Sequence, residues 1–244
     1  MLSATHIDNG YDTTLVLLHG IFGNRSQLKR FHDVPANILA VDLPGHGKSS
    51  SCPYDTILPC MNERLRQTLE HYAVKQHILL GYSLGGFLAV DLLASGWECE
   101  AAIVISAGSR LPRMDFVQDY GVLARAQKVL PKHKDLIERA VDMFRKLHEE
   151  PFSVRGELDV SEALAFLSAL SNKNYARPLQ KIDLPVLILH GPNDMLIPPQ
   201  FGRDLQKHLP NSTLIEPAKT NHASILRSSK THEEIKSFVE KTHK

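Results

Sequence analysis

The sequence predicts an α/β protein: a mostly parallel central sheet flanked by helices, with a helical lid inserted between two core strands. Three observations carry this expectation. Apolar runs of strand length recur at 15–18, 37–42, 78–80, 101–106 and 185–189, and stretches with helical spacing separate most of them. The run at 78–80 ends in Gly81-Tyr82-Ser83-Leu84-Gly85 and passes at once into a helical pattern of Phe87, Leu88, Val90, Leu92 and Leu93. From Arg110 to about Arg177 the strand signal stops, and apolar residues recur only at helical intervals.

In chain order, Thr5-His6-Ile7, the turn Asp8-Asn9-Gly10 and residues 14–18 read as a short strand, a reversal and a buried strand. The second strand runs into the glycine-rich loop His19-Gly20-Ile21-Phe22-Gly23. Open α/β sheets place ligand-binding backbone in such loops, at the carboxyl ends of strands. The strand at 37–42 ends in Leu43-Pro44-Gly45-His46-Gly47-Lys48-Ser49, which imitates a phosphate-binding loop. The first glycine of that motif would fall on Asp42, so the nucleotide reading fails. Asp42 and His46 are expected instead to hold a tight loop by local hydrogen bonds. Met61, Leu65, Leu69 and Tyr72 mark a helix that leads back to the central strand. After the insert come the strand at 185–189, a helix through Phe201, Leu205 and Leu209, a last strand at 212–215 and a terminal helix carrying Ile235, Phe238 and Val239. The insert is several helices long where one would complete a crossover, which predicts a lid over the carboxyl edge of the sheet. The expected division is a core of 1–109 and 178–244 and a lid of 110–177.

A chain of 244 residues suffices for one sizeable core. Net charge is +1, which gives no electrostatic case for nucleic acid. No apolar stretch reaches membrane-spanning length, and Met1-Leu2-Ser3-Ala4-Thr5 has neither a basic nor an apolar signal region. Cys52, Cys60 and Cys99 are odd in number and lack metal-ligand spacing. They are expected to be free thiols in a reducing compartment, and the expected location is cytoplasmic. No cofactor and no metal is expected.

The chemistry is read from Ser83. A serine between a strand end and a helix start is forced into a strained turn that lifts its hydroxyl clear of the sheet. Gly81 and Gly85 flank it because side chains there would collide where strand and helix pack. Asp194 follows the strand at 185–189, in Gly191-Pro192-Asn193-Asp194, and His222 follows the last strand. Ser83, Asp194, His222 is the chain order of an elbow nucleophile, its acid and its base. The backbone N–H groups of Ile21 and Leu84 are the expected oxyanion donors, with the N-terminal dipole of the elbow helix behind Leu84. His19 is expected to orient its loop, and Phe22, Tyr82 and Phe87 are the expected substrate-binding side chains.

These stretches together resemble the α/β-hydrolase superfamily over nearly the whole chain. Leu17-Leu18-His19-Gly20, Asp42-Leu43-Pro44-Gly45-His46-Gly47, Gly81-Tyr82-Ser83-Leu84-Gly85-Gly86, Gly191-Pro192-Asn193-Asp194 and Asn221-His222 carry the resemblance. The chain is most similar to small lidded bacterial carboxylesterases of the pimeloyl-carrier-protein methyl ester esterase type, which act in biotin synthesis. That likeness implies a serine carboxylic-ester hydrolase acting on a small-molecule or carrier-protein-bound acyl ester, with no nucleic acid and no membrane partner. Menaquinone-pathway synthases that eliminate pyruvate are also similar, but they typically carry an arginine where Phe87 stands. A hydrolase-fold ligand receptor would keep the same triad. Arg110, Arg113, Arg125, Lys128, Lys132, Lys134, Arg139, Arg145 and Lys146 make the first part of the insert basic. That face either docks an acidic acyl carrier protein or is simply solvated, since Asp115, Asp119, Asp135, Glu138 and Asp142 offset the charge.

Overall fold

The computed structural model describes residues 1–112 and 160–242. Among the described residues seven strands form one sheet in the order β1-β3-β2-β4-β5-β6-β7. They are β1 (Ala4–Ile7), β2 (Thr13–Leu18), β3 (Asn37–Val41), β4 (Gln76–Tyr82), β5 (Ala101–Ile105), β6 (Val186–Leu189) and β7 (Ser212–Ile215). Only β1 runs antiparallel, pairing Ala4 with Val41 and Ile7 with Ile38; the other five pairings are parallel. The long apolar runs are explained by this arrangement, because a parallel sheet covered on both faces needs apolar side chains at every position. Alternate residues of each strand feed two buried clusters. Val16, Leu18, Leu39, Val41 and Leu79 enter one, and Leu15, Leu17, Ile38, Ile78, Leu80 and Tyr82 enter the other.

The α-helices among the described residues are α1 (Ile57–His71), α2 (Leu84–Ala94), α3 (Val160–Ser171), α4 (Ala176–Leu179), α5 (Gln200–His208) and α6 (Ser229–Thr242). On α1 the residues Ile57, Leu58, Met61, Leu65, Thr68 and Leu69 are buried, one stripe of an amphipathic helix. By contrast, α2 is buried from Leu84 to Leu93 and has no solvent face. Most of the expected lid, 113–159, lies outside the described residues, as do its helical positions Phe116 to Leu147. At the described end of the insert, α3 packs on α1 and α2 through Ala163, Phe166, Leu167 and Leu170. Its buried Glu162 accepts a hydrogen bond from the Cys52 N–H at 2.6 Å. Where the insert rejoins the core, the Tyr175 N–H bonds Ser109 O at 3.0 Å and its hydroxyl donates to Asp91 Oδ1 at 2.6 Å.

The cysteines correct one expectation. Cys52 and Cys60 form a disulfide, and only Cys99 is a free thiol. Cys52 lies in the loop before α1 and Cys60 within the first turns of that helix, with Cα atoms 6.1 Å apart. The cysteine count therefore no longer argues for a reducing compartment. Among the described residues no helix is long and apolar enough to cross a membrane.

Candidate active site

Every expected site loop leaves the sheet at the carboxyl end of a parallel strand: β2 for Ile21, β4 for Ser83, β6 for Asp194 and β7 for His222. Strand order brings them to one crevice although up to 139 residues separate Ser83 and His222. Ser83 has φ +53 and ψ −115, the strained turn that a strand-to-helix elbow demands. The flanking glycines are sterically required. A Cβ at Gly85 would strike Leu18 O and His19 O, and one at Gly81 would strike Gly85 O.

The three side chains are joined by hydrogen bonds. His222 Nε2 lies 2.9 Å from Ser83 Oγ, and His222 Nδ1 lies 2.7 Å from Asp194 Oδ2. The other oxygen, Asp194 Oδ1, accepts the N–H groups of Leu196 and Ile197 at 3.0 and 2.9 Å. Its two oxygens thus have separate tasks, and the carboxylate cannot rotate away from the imidazole. Burial pushes the Asp194 pKa up, but the hydrogen bond and charge of His222, the Ile197 N–H and the nearby His190 outweigh it. The net direction is below the ordinary carboxylate value, so Asp194 is ionised at neutral pH. With relative exposures of 7% for Ser83, 3% for Asp194 and 5% for His222, all three residues are buried.

The glycine-rich loop after β2 is fixed around one peptide unit. Gly20 O accepts from His19 Nδ1–H at 2.8 Å and from the Gly23 N–H at 3.0 Å. The opposite ring nitrogen, His19 Nε2, accepts the Leu43 N–H at 3.0 Å, which sets the tautomer. Burial, then the neighbouring His46, push His19 down to about 3, so it stays neutral while it holds the loop. The Gly20 N–H is taken by Gln27 Oε1 at 2.8 Å, Ser83 N–H by Ile105 O, and Gly85 N–H by His19 O. The amides of Ile21 and Leu84 take part in none of these bonds. Leu84 opens α2, where the first N–H groups have no intrahelical acceptor. Asp42 accepts backbone N–H groups from Arg25 and Lys48 at 2.8 and 3.0 Å, and His46 Nδ1 bonds Pro44 O at 2.8 Å. The His46 bond is local, as expected, whereas Asp42 also ties its loop to the one after β2 through Arg25.

Of the expected substrate-binding side chains, Phe22 stays on the loop beside Ile21, half-buried with φ +60. The other two are fully buried. Tyr82 shares strand parity with Ile78 and Leu80, so it enters the cluster on the opposite sheet face from Leu79, with 2% of its surface exposed. Phe87 belongs to a helix that is apolar all round and is buried with Leu84, Leu88 and Phe166. Three contacts escaped the sequence reading: Gln27 under Gly20, Tyr82 under His222, and His190 behind Asp194. The Nε2–H of His190 donates to Ile197 O at 2.8 Å and so closes the 194–197 turn. No spacing in the sequence marks these residues. Among the described residues no cluster of three or more His, Cys, Asp or Glu is placed to hold a metal ion.

Comparison with known proteins agrees with this architecture. The model of the alpha/beta hydrolase family matches residues 15–233, and the chain belongs to that family. A pimeloyl-[acyl-carrier protein] methyl ester esterase of Nitrosomonas europaea is 24% identical over 92% of this chain and 95% of its own length. A 2-succinyl-6-hydroxy-2,4-cyclohexadiene-1-carboxylate synthase of Klebsiella pneumoniae is 32% identical, but over 44% of each chain. Among solved structures, an esterase from Exiguobacterium antarcticum superposes with a TM-score of 0.80 at 20% identity, covering 98% of this chain and 95% of its own.

Proposed function

We propose that this chain is a serine carboxylic-ester hydrolase in which Ser83, His222 and Asp194 are the nucleophile, the base and the acid. The observation that carries the proposal is the hydrogen-bonded chain from Asp194 through His222 to Ser83, beside the amides of Ile21 and Leu84, which have no hydrogen-bond acceptor among the described residues. In the reaction, Ser83 Oγ attacks the ester carbonyl while its proton passes to His222 Nε2. The imidazolium is stabilised by Asp194 through Nδ1–H. Negative charge gathers on the former carbonyl oxygen, where the N–H groups of Ile21 and Leu84 receive it. The C–O bond to the alcohol then breaks, His222 returns the proton to the leaving oxygen, and an acyl-Ser83 intermediate remains. Water, deprotonated by His222, releases the acid by the same steps in reverse.

The substrate class is an acyl ester in an apolar pocket with Phe22 as one wall. The Nitrosomonas relative, matched over nearly its full length, favours a pimeloyl-acyl-carrier-protein methyl ester, with the carrier docked on the basic part of a lid formed by 110–177. Pyruvate-eliminating synthases typically carry an arginine at the position that is Phe87 in this chain, and that departure favours ester hydrolysis. The test is a panel of esters varied separately in acyl length and leaving group, extended to a methyl pimelate ester tethered to a carrier protein. Ser83→Ala should abolish turnover of every member while folding normally. Wild-type turnover by that variant would overturn the assignment, and ligand binding without multiple turnover by the native chain would favour a receptor.

A further inference from the structure

We infer that Tyr82 is a positioning residue that fixes the base His222 against the nucleophile, rather than a wall of the substrate pocket. The inference rests on the triad reading above. Strand alternation turns the Tyr82 side chain under the sheet, and the strained elbow at Ser83 turns the next side chain over its edge. The two neighbours in sequence therefore work on opposite sides of the same backbone.

From beneath, Tyr82 reaches both other loops of the site. Its hydroxyl donates to His222 O at 3.0 Å in a buried bond that spans 140 residues. Its ring lies 5.3 Å from the His222 imidazole, tilted by 39°. The same ring packs directly on Gly20, where an added Cβ would stand 2.9 Å from Tyr82 Cδ1 and 3.0 Å from Cε1. Ile225, three residues beyond His222, enters the same buried cluster as Tyr82. One side chain thus touches the loop of the proposed oxyanion donor and the loop of the base, and is bonded covalently to the nucleophile.

This arrangement solves a mechanical problem of the reaction. His222 accepts a proton from Ser83 and must then deliver it to a leaving oxygen on the other side of the carbonyl carbon. The ring needs small movements while its backbone stays in register with Ser83, and misplacement by about 1 Å can cost on the order of a hundredfold in rate. An anchored carbonyl and a ring face beneath the imidazole hold that register. Desolvation, then the Asp194 charge, push the Tyr82 phenol pKa up, so it is a permanent donor. Its side chain lies in the buried cluster with Ile78 and Leu80.

Tyr82→Phe tests the inference, because it removes the donor and keeps the ring. On a p-nitrophenyl ester the expected result is a fall in kcat of about tenfold with KM changed by less than about twofold. The same substitution in a His222→Ala background should leave the residual rate within about twofold, since the anchor has nothing left to position. Tyr82→Leu, which also withdraws the ring from Gly20, should lower the rate in both backgrounds. A kcat for Tyr82→Phe within about twofold of wild type, or an equal loss with and without His222, would overturn the positioning role. Failure of the triad reading shows separately, as retained turnover in Ser83→Ala.

Discussion

Replacing Asp194 with asparagine separates the shape of the acid from its charge. In the native site Asp194 Oδ1 accepts the amides of Leu196 and Ile197, and Oδ2 faces His222 Nδ1 at 2.7 Å. Asparagine fills the same volume, and its carbonyl oxygen can keep both amides. Its Nδ2 then meets His222 Nδ1 as a donor. Two donors cannot face one another, so the imidazole moves its proton to Nε2, the nitrogen 2.9 Å from Ser83 Oγ. A base already carrying a proton there cannot accept the serine proton. The expected loss is on the order of 10⁴ in kcat, or about 5.5 kcal/mol of barrier. Initial rates on an activated ester, with a thermal melt of the same sample, measure both halves of the claim. A folded Asp194→Asn variant retaining more than about a tenth of wild-type kcat would refute the reasoning, because a tautomer switch cannot be that mild.

The remaining predictions concern the frame of the site and its stability. Gln27→Met keeps the side-chain length but leaves the Gly20 N–H without its acceptor, so the loop bearing Ile21 loosens; kcat should fall about tenfold with little change in KM, measured by steady-state kinetics. Thiol titration of denatured protein should find one reactive cysteine before reduction and three after it, given the Cys52–Cys60 disulfide and free Cys99; three before reduction would contradict the pairing. The bridge closes a short loop and should contribute about 2–3 kcal/mol, visible as a lower urea midpoint after reduction. Burial holds His77 down to about 4, and burial with the neighbouring His46 holds His19 down to about 3, against an unfolded value of 6.5. The unfolded chain therefore binds more protons below 6.5, and stability falls as pH drops from that value toward the folded ones. At about pH 5 each of these two histidines should cost about 2 kcal/mol, measured by urea unfolding across pH.

Much of this was legible in the residues because a covered parallel sheet writes itself as uninterrupted apolar runs. The elbow and the acid loop each follow such a run, and the base loop follows the short, half-exposed β7, so their positions at one edge follow from the order of β4, β6 and β7. The directions of Tyr82 and Phe87 were not legible in the same way. With both faces of the sheet buried, alternation carries no polar mark to say which face is which, and the aromatic at 82, read as a pocket wall, enters the cluster beneath the sheet. The direction of Phe87 was not legible for a related reason, since a helix without a solvent face offers no stripe from which to orient its side chains. The cysteine pairing depends on how the 52–60 loop folds back onto α1, a distance that spacing alone does not set. Gln27 lies in a loop whose turn is fixed by Gly20 and Gly23, and a single polar side chain beyond a glycine pair carries no signal of its own.

The most direct measurement of the central claim is covalent capture. Native protein treated with a fluorophosphonate should gain one adduct, and peptide mass mapping should place it on Ser83. His222→Ala should slow that labelling by orders of magnitude, and paraoxon pretreatment should block both labelling and ester turnover in parallel. Labelling at a different residue, or full-speed labelling without the imidazole of His222, would contradict the account.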